Sequence, residues 1–190
     1  MTLAEFLEWE EGQPLRYEFD GVGPVAMVGG SVRHAQIQRN LAFALTARLR
    51  GKPCQFLGSD LKIQTEEDHA RYPDGIVICS PLTGSETIVD APVVIFEVLS
   101  PSTTHTDRFV KAREYQGMPS VQRYVMLEQD SINAVVYARA GDAWTHEILV
   151  ADSIVALPEI EVELPLAELY EGIVFEAQDQ SEQPPESEPT

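Results

Sequence analysis

The run Val93-Val94-Ile95-Phe96-Glu97-Val98-Leu99 constrains this chain more than any other segment. Six of its seven side chains are apolar, and an unbroken apolar run of this length reads as a strand covered on both faces. Alternation sends Ile95, Glu97 and Leu99 to one side, and Phe96 and Val98 to the other. Both sides must then meet other layers, which calls for a mixed α/β domain with a central sheet and helices on its faces. Glu97 is the exception within the run. A carboxylate buried there is costly unless it is paired or holds a cation.

The rest of the chain fits such a domain. Thr2 and Glu5 form a capping-box pair ahead of Leu3, Phe6 and Leu7, which predicts a short first helix. Residues 14–28 read as two strands joined at Asp20-Gly21. Ile37, Leu41, Leu45 and Leu49 recur every fourth residue and predict an amphipathic helix over 31–50, ended by Gly51 and Pro53. Strands are expected at 54–57, 61–65, 76–79 and 93–99, and a helix at 104–117. Further strands are expected at 124–127, 134–137 and 144–150, then a helical turn at 165–170. A length of 190 residues suits one domain over 1–175. Residues 176–190 carry five acids and no base, and such a segment buries too little surface to order itself.

Acids outnumber bases 31 to 13, for a net charge of -18. This excludes a histone-like DNA binder that relies on bulk electrostatics. It does not exclude an enzyme that meets nucleic acid through bound cations, but the tail holds only five of the acids, so the body itself stays strongly acidic. The basic residues gather at Arg33, Arg39, Arg48, Arg50 and Lys52, as a phosphate track or as an ordinary solvated helix face. No stretch approaches the about 18 uncharged apolar residues of a membrane helix. The acidic N-terminus reads as neither signal nor transit peptide, so the expected location is cytoplasmic. Cys54 and Cys79 lack CxxC spacing and are expected as two buried apolar thiols.

The four histidines show no metal-ligand spacing, and HExxH, P-loop, GxSxG and strand-borne GxGxxG motifs are absent. Two acids remain. Asp74 follows Pro73 at the entry to an apolar strand, and Glu97 lies inside another. If those strands are neighbours, the two carboxylates can converge on one hard divalent ion. Mg²⁺ suits them, since it takes one or two carboxylates and keeps several waters.

Several pieces then occur in a fixed order. They are Tyr17-Glu18-Phe19-Asp20-Gly21, Gly58-Ser59-Asp60-Leu61, Pro73-Asp74 and Glu97-Val98-Leu99-Ser100-Pro101-Ser102-Thr103, followed by Asp107, Lys111 and Tyr115. Over about residues 1–170 this resembles the putative restriction endonuclease family abundant in cyanobacteria and some other bacteria, within the PD-(D/E)xK nuclease superfamily. The resemblance implies a restriction-endonuclease-like fold and a Mg²⁺-dependent phosphodiesterase site, with Mn²⁺ as a substitute. By that analogy Asp74, Glu97 and the Val98 carbonyl hold the metal, and Glu18 is an acid supplied by the N-terminal region. The superfamily pattern places a lysine two residues after the glutamate, where this chain has Leu99. Lys111 would replace it from the following helix, and Lys62 is a second candidate.

Each residue keeps a plainer alternative. Asp74 could cap a turn, and Glu97 could be a structural acid paired with an arginine. Lys111 could pair with Asp107 one helical turn away. Glu18 could be an exposed strand charge, and Asp60 could fix a turn. His34, on one helix face with Gln38, contacts phosphate or sits at the surface. Three functions follow: a Mg²⁺-dependent endonuclease acting on nucleic acid, DNA first; a non-catalytic module of the same fold that binds a protein partner; and a hydrolase of small phosphate esters. A homodimer is expected of a small nuclease that must reach both strands.

Overall fold

The computed structural model describes residues 1–27, 29–66, 68–100 and 106–175. The chain opens with helix α1 (Leu3–Glu11), capped reciprocally by Thr2 and Glu5, and the hairpin β1 (Tyr17–Phe19) and β2 (Pro24–Ala26). Helix α2 (Val32–Leu49) follows, with Ser31 as its N-cap. Next come β3 (Gln55–Gly58), β4 (Lys62–Gln64), β5 (Ala70–Arg71), β6 (Gly75–Ile78), β7 (Ile88–Val89) and β8 (Val94–Val98). A π-helical turn, Thr106–Lys111, runs into α3 (Ala112–Gly117). The chain continues as β9 (Arg123–Leu127), β10 (Asn133–Ala140), β11 (Ala143–Val150), β12 (Ile154–Leu157) and β13 (Val162–Pro165), and a 3-10 turn at Leu166–Tyr170 closes it.

The central sheet is mixed and six-stranded, in the order β11-β10-β9-β8-β6-β3. Its only parallel pair is β8–β9. Val94, Phe96 and Val98 face a core made with Ile37, Leu41, Leu45 and Leu49 of α2 and with the β12–β13 ribbon. Ile95 and Leu99 face a second core with Ile63, Val89, Ala112, Tyr115 and Tyr124. Each fully buried Leu, Ile or Phe contributes roughly 1.5–3 kcal/mol, so both faces of β8 hold the sheet between its layers. The single expected sheet is accompanied by a five-stranded one, β2-β1-β5-β4-β7, and the two-stranded ribbon. Phe6 of α1 and Phe19 of β1 stack at 5.1 Å in a small third core.

The expected helix start at Thr104, the Pro101-Ser102-Thr103 part of the motif and the acidic tail lie outside the described residues. So does the side chain of Asp107, and with it the alternative ion pair to Lys111.

The cysteines require a correction. β3 and β6 pair antiparallel with Gln55 opposite Ile78, and the next position sets Cys54 opposite Cys79. The two form a disulfide with Cα atoms 4.0 Å apart. Spacing along the chain carries no information about strand register, which is why the pairing is invisible in the sequence. Closing a loop of 25 residues stabilises by about 3.5 kcal/mol in the chain-entropy account. Reduction is therefore expected to lower the thermal midpoint by about 10 °C, measured by calorimetry with and without dithiothreitol. Among the described residues no helix is long and apolar enough to cross a membrane.

Candidate active site

β6 and β8 are antiparallel neighbours, with Gly75 opposite Phe96. Continuing that register by one position sets Asp74 opposite Glu97. Pro73 brings the chain into β6, so Asp74 stands at the strand's first edge, where β8 leaves the sheet. Three donors fix its carboxylate. Gln38 Nε2 donates to Oδ1 at 2.6 Å, and His34 Nε2 lies 3.1 Å from the same oxygen. The Val98 backbone N–H donates to Oδ2 at 2.6 Å. His34 and Gln38 reach one acceptor because residues four apart share a helix face. The His34 ring lies against Gly30, where an added Cβ would come within 2.8 Å of it.

The Glu97 side chain is only 5% exposed. Its Oε1 accepts from Lys111 Nζ at 3.1 Å and from the Tyr115 hydroxyl at 3.0 Å. Lys111 and Tyr115 are also four residues apart, one turn of helix. Burial, and then the charges of Glu97 and Glu18, push the Tyr115 hydroxyl well above its ordinary pKa. It stays protonated and donates. Glu97 is thus paired with a lysine and a tyrosine. Lys111 Nζ also lies 3.0 Å from Glu18 Oε1. Leu99, two residues past Glu97, is buried in the second core.

Behind these groups stands a further set of charges. Glu18 accepts from the Tyr72 N–H at 3.2 Å and from Arg71 Nη1 at 3.3 Å. Arg71 forks onto Glu114 at 2.8 and 2.6 Å, and His69 Nδ1 lies 2.7 Å from Glu114. Burial opposes both charges of the Arg71–Glu114 pair. Their mutual attraction outweighs it, raising the guanidinium pKa and lowering that of the carboxyl. Glu10 is held in the same way. Burial raises its pKa, but the Lys62 ammonium at 2.5 Å, the Tyr17 N–H and the Tyr72 hydroxyl bring it below the ordinary value.

These depressed carboxyls give a pH dependence of known sign. Glu10 and Glu114 have folded-state pKa values below the unfolded value of 4.5. Their contribution is fully present above that value and is lost as pH falls through the lower, folded values. Thermal melts between pH 7 and pH 3 are expected to hold a plateau and then drop steeply below about pH 4.5.

Glu18, His34, Asp74, Glu97, Val98 and Lys111 all line one cavity of about 670 Å³ between the end of the sheet, the start of α2 and the β1–β2 hairpin. The other two sequence candidates stand elsewhere. Asp60 is exposed and pairs with Arg16 at 2.6 Å, and Lys62 is buried against Glu10. Of the basic cluster, Arg48 is bound to Glu168, and Lys52 donates to the carbonyls of Ile160 and Glu161. Those two fasten the C-terminal turns to α2 and form no phosphate track. Arg33 pairs with exposed Asp130.

Sequence reasoning missed Arg71, Glu114, His69 and Glu10. The usable signal was Arg71 directly before Tyr72-Pro73-Asp74, a cation entering an apolar strand beside an expected site. Among the described residues no three His, Cys, Asp or Glu side chains form a ready-made metal cage. Mg²⁺ does not need one, since one or two carboxylates and water suffice. The hard oxygen donors of Asp74 and Glu97, opening on one cavity, fit that demand.

A family model described as a putative restriction endonuclease matches residues 3–167. The chain belongs to this family, Uma2. This Uma2 chain is also similar to two proteins from Synechocystis, both described as uncharacterized. One, slr1290, is 32% identical and covers 92% of this chain and 94% of its own length. The other, sll1609, is 28% identical over 75% of this chain and 82% of its own length. Among solved structures, a putative nuclease belonging to DUF820 from Anabaena variabilis superimposes with a TM-score of 0.69. It has 20% identity and covers 90% of this chain and 97% of that one. The fold of this Uma2 member is restriction-endonuclease-like.

Proposed function

We propose that this chain is a metal-dependent endonuclease that hydrolyses phosphodiester bonds of nucleic acid, DNA first, at the cavity where β6 meets β8. The observation that carries the reading is the register of Asp74 opposite Glu97, with the Lys111 ammonium on Glu97 in the same cavity. Asp74 and Glu97 would hold Mg²⁺ or Mn²⁺, with the Val98 carbonyl as a further donor. Such an ion, when bound, supplies charge neutralisation and a water of lowered pKa.

The chain's own residues do the rest. His34, Gln38 and the Val98 N–H keep the Asp74 carboxylate in one orientation. Tyr115 does the same for Glu97. Lys111 offers a fixed positive charge to the phosphate oxygens on which negative charge builds in the transition state. Its long stem lets it do this from the end of the π-helical turn, which leaves position 99 to the core. Glu18 holds that ammonium from the other side.

The proposal extends to a homodimer cutting both strands and to a cytoplasmic location. The disulfide stands against the latter, since a reducing cytosol disfavours such bonds. The strong acidity and the buried Leu99 favour a second reading, a non-catalytic module for a basic protein partner. The deciding experiment is cleavage of DNA and RNA by purified protein with Mg²⁺, Mn²⁺ or EDTA. Metal-dependent cleavage lost in Asp74→Ala supports the enzyme. Absence of cleavage, with no metal uptake by calorimetry, supports the module.

A further inference from the structure

The chemistry proposed above leaves Arg71 and Glu114 unused, yet their side chains are only 3% and 2% exposed. Charges buried so deeply are costly to keep, and their connections show what they hold. Arg71 places both arms of its fork on Glu114 and sends its remaining nitrogen to Glu18 Oε2. Glu18 Oε1 in turn meets Lys111 Nζ. Lys111 and Glu114 are three residues apart, at the junction of the π-helical turn with α3. The contacts therefore close a ring: from the helix through Glu114, Arg71 and Glu18, back to Lys111.

We propose that Arg71, anchored by Glu114, is a positioning residue. It fixes the Glu18 carboxylate so that Glu18 and Glu97 together hold the Lys111 ammonium at the cavity wall. A lysine two residues beyond the glutamate would be placed by the strand itself. Lys111 arrives instead on a flexible stem whose rotamer freedom opposes a fixed position, and the ring supplies the restraint. This rests on the role of Lys111 proposed above.

The test exploits composition. The chain has three lysines, Lys52, Lys62 and Lys111. In protein labelled with ¹⁵N at lysine Nζ, buried and ion-paired Lys62 and Lys111 are expected to give protected ammonium signals, assigned by Lys62→Arg and Lys111→Arg. Arg71→Gln is expected to abolish the Lys111 signal and keep that of Lys62, and Arg71→Lys to restore it in part. If Arg71→Gln does not fold, Glu114→Gln, which leaves the guanidinium but removes its anchor, is read the same way. An unchanged Lys111 signal overturns the proposal. Loss of both signals also overturns it, because the role is then general to the fold.

In the cleavage assay, Arg71→Gln should lower kcat about 10- to 100-fold with KM unchanged, and cause no further loss in a Lys111→Ala background. A wild-type protein that cleaves nothing sinks the nuclease reading, while the spectra still decide the ring.

Discussion

Glu97→Gln is expected to lower metal-dependent cleavage by about a thousandfold, roughly 4 kcal/mol of transition-state stabilisation, and to leave the melting temperature unchanged or higher. The amide has the shape of the carboxylate and still accepts from Tyr115. It removes a hard anionic donor from the cavity and, with it, a charge that is nearly fully buried. Lys111 keeps Glu18 as its counter-ion at 3.0 Å, so no lone cation is stranded. A group used for chemistry is commonly kept at some cost to stability, and the substitution separates the two for the proposed role of Glu97. Turnover on a labelled oligonucleotide and calorimetric melting of the same preparation check it. Retained turnover with a markedly lower melting temperature would make Glu97 a structural acid.

Lys62→Ala is expected to do the reverse. Removing one partner of a buried pair strands the other, at about 3–5 kcal/mol. Glu10 would be left with the Tyr72 hydroxyl and the Tyr17 N–H but no cation. Denaturant unfolding measures the loss. Turnover below the new midpoint should be retained, because Lys62 stands outside the cavity wall and Lys111 inside it. Glu97→Gln and Lys62→Ala therefore have opposite signatures, one in rate and one in stability.

The parts of this architecture legible in the sequence are those written in local periodicity. Helix α2 follows from four leucine and isoleucine positions, α1 from its capping box, and the two faces of β8 from simple alternation. The closeness of Asp74 and Glu97 was legible only as a condition, because it depends on β6 and β8 being neighbours. Strands β5 and β7 have two residues each, too few to show any period. The disulfide depends on register, and the Arg71–Glu114 pair joins residues 43 apart. No window along the chain contains either. Lys111 was singled out only through the resemblance, and its ion pairs with Glu97 and Glu18 join residues too far apart for any local pattern to show.

The separation of Glu97 from Lys111 along the chain bears on how related chains are to be found. With the cation 14 positions beyond the glutamate and on a different kind of backbone, a pattern of contiguous letters passes over this protein. A profile suited to it would instead require an aliphatic residue two positions past the glutamate, and a lysine and a tyrosine one turn apart downstream. Chains sorted that way would show whether such a lysine and the arginine that restrains its carboxylate partner occur together.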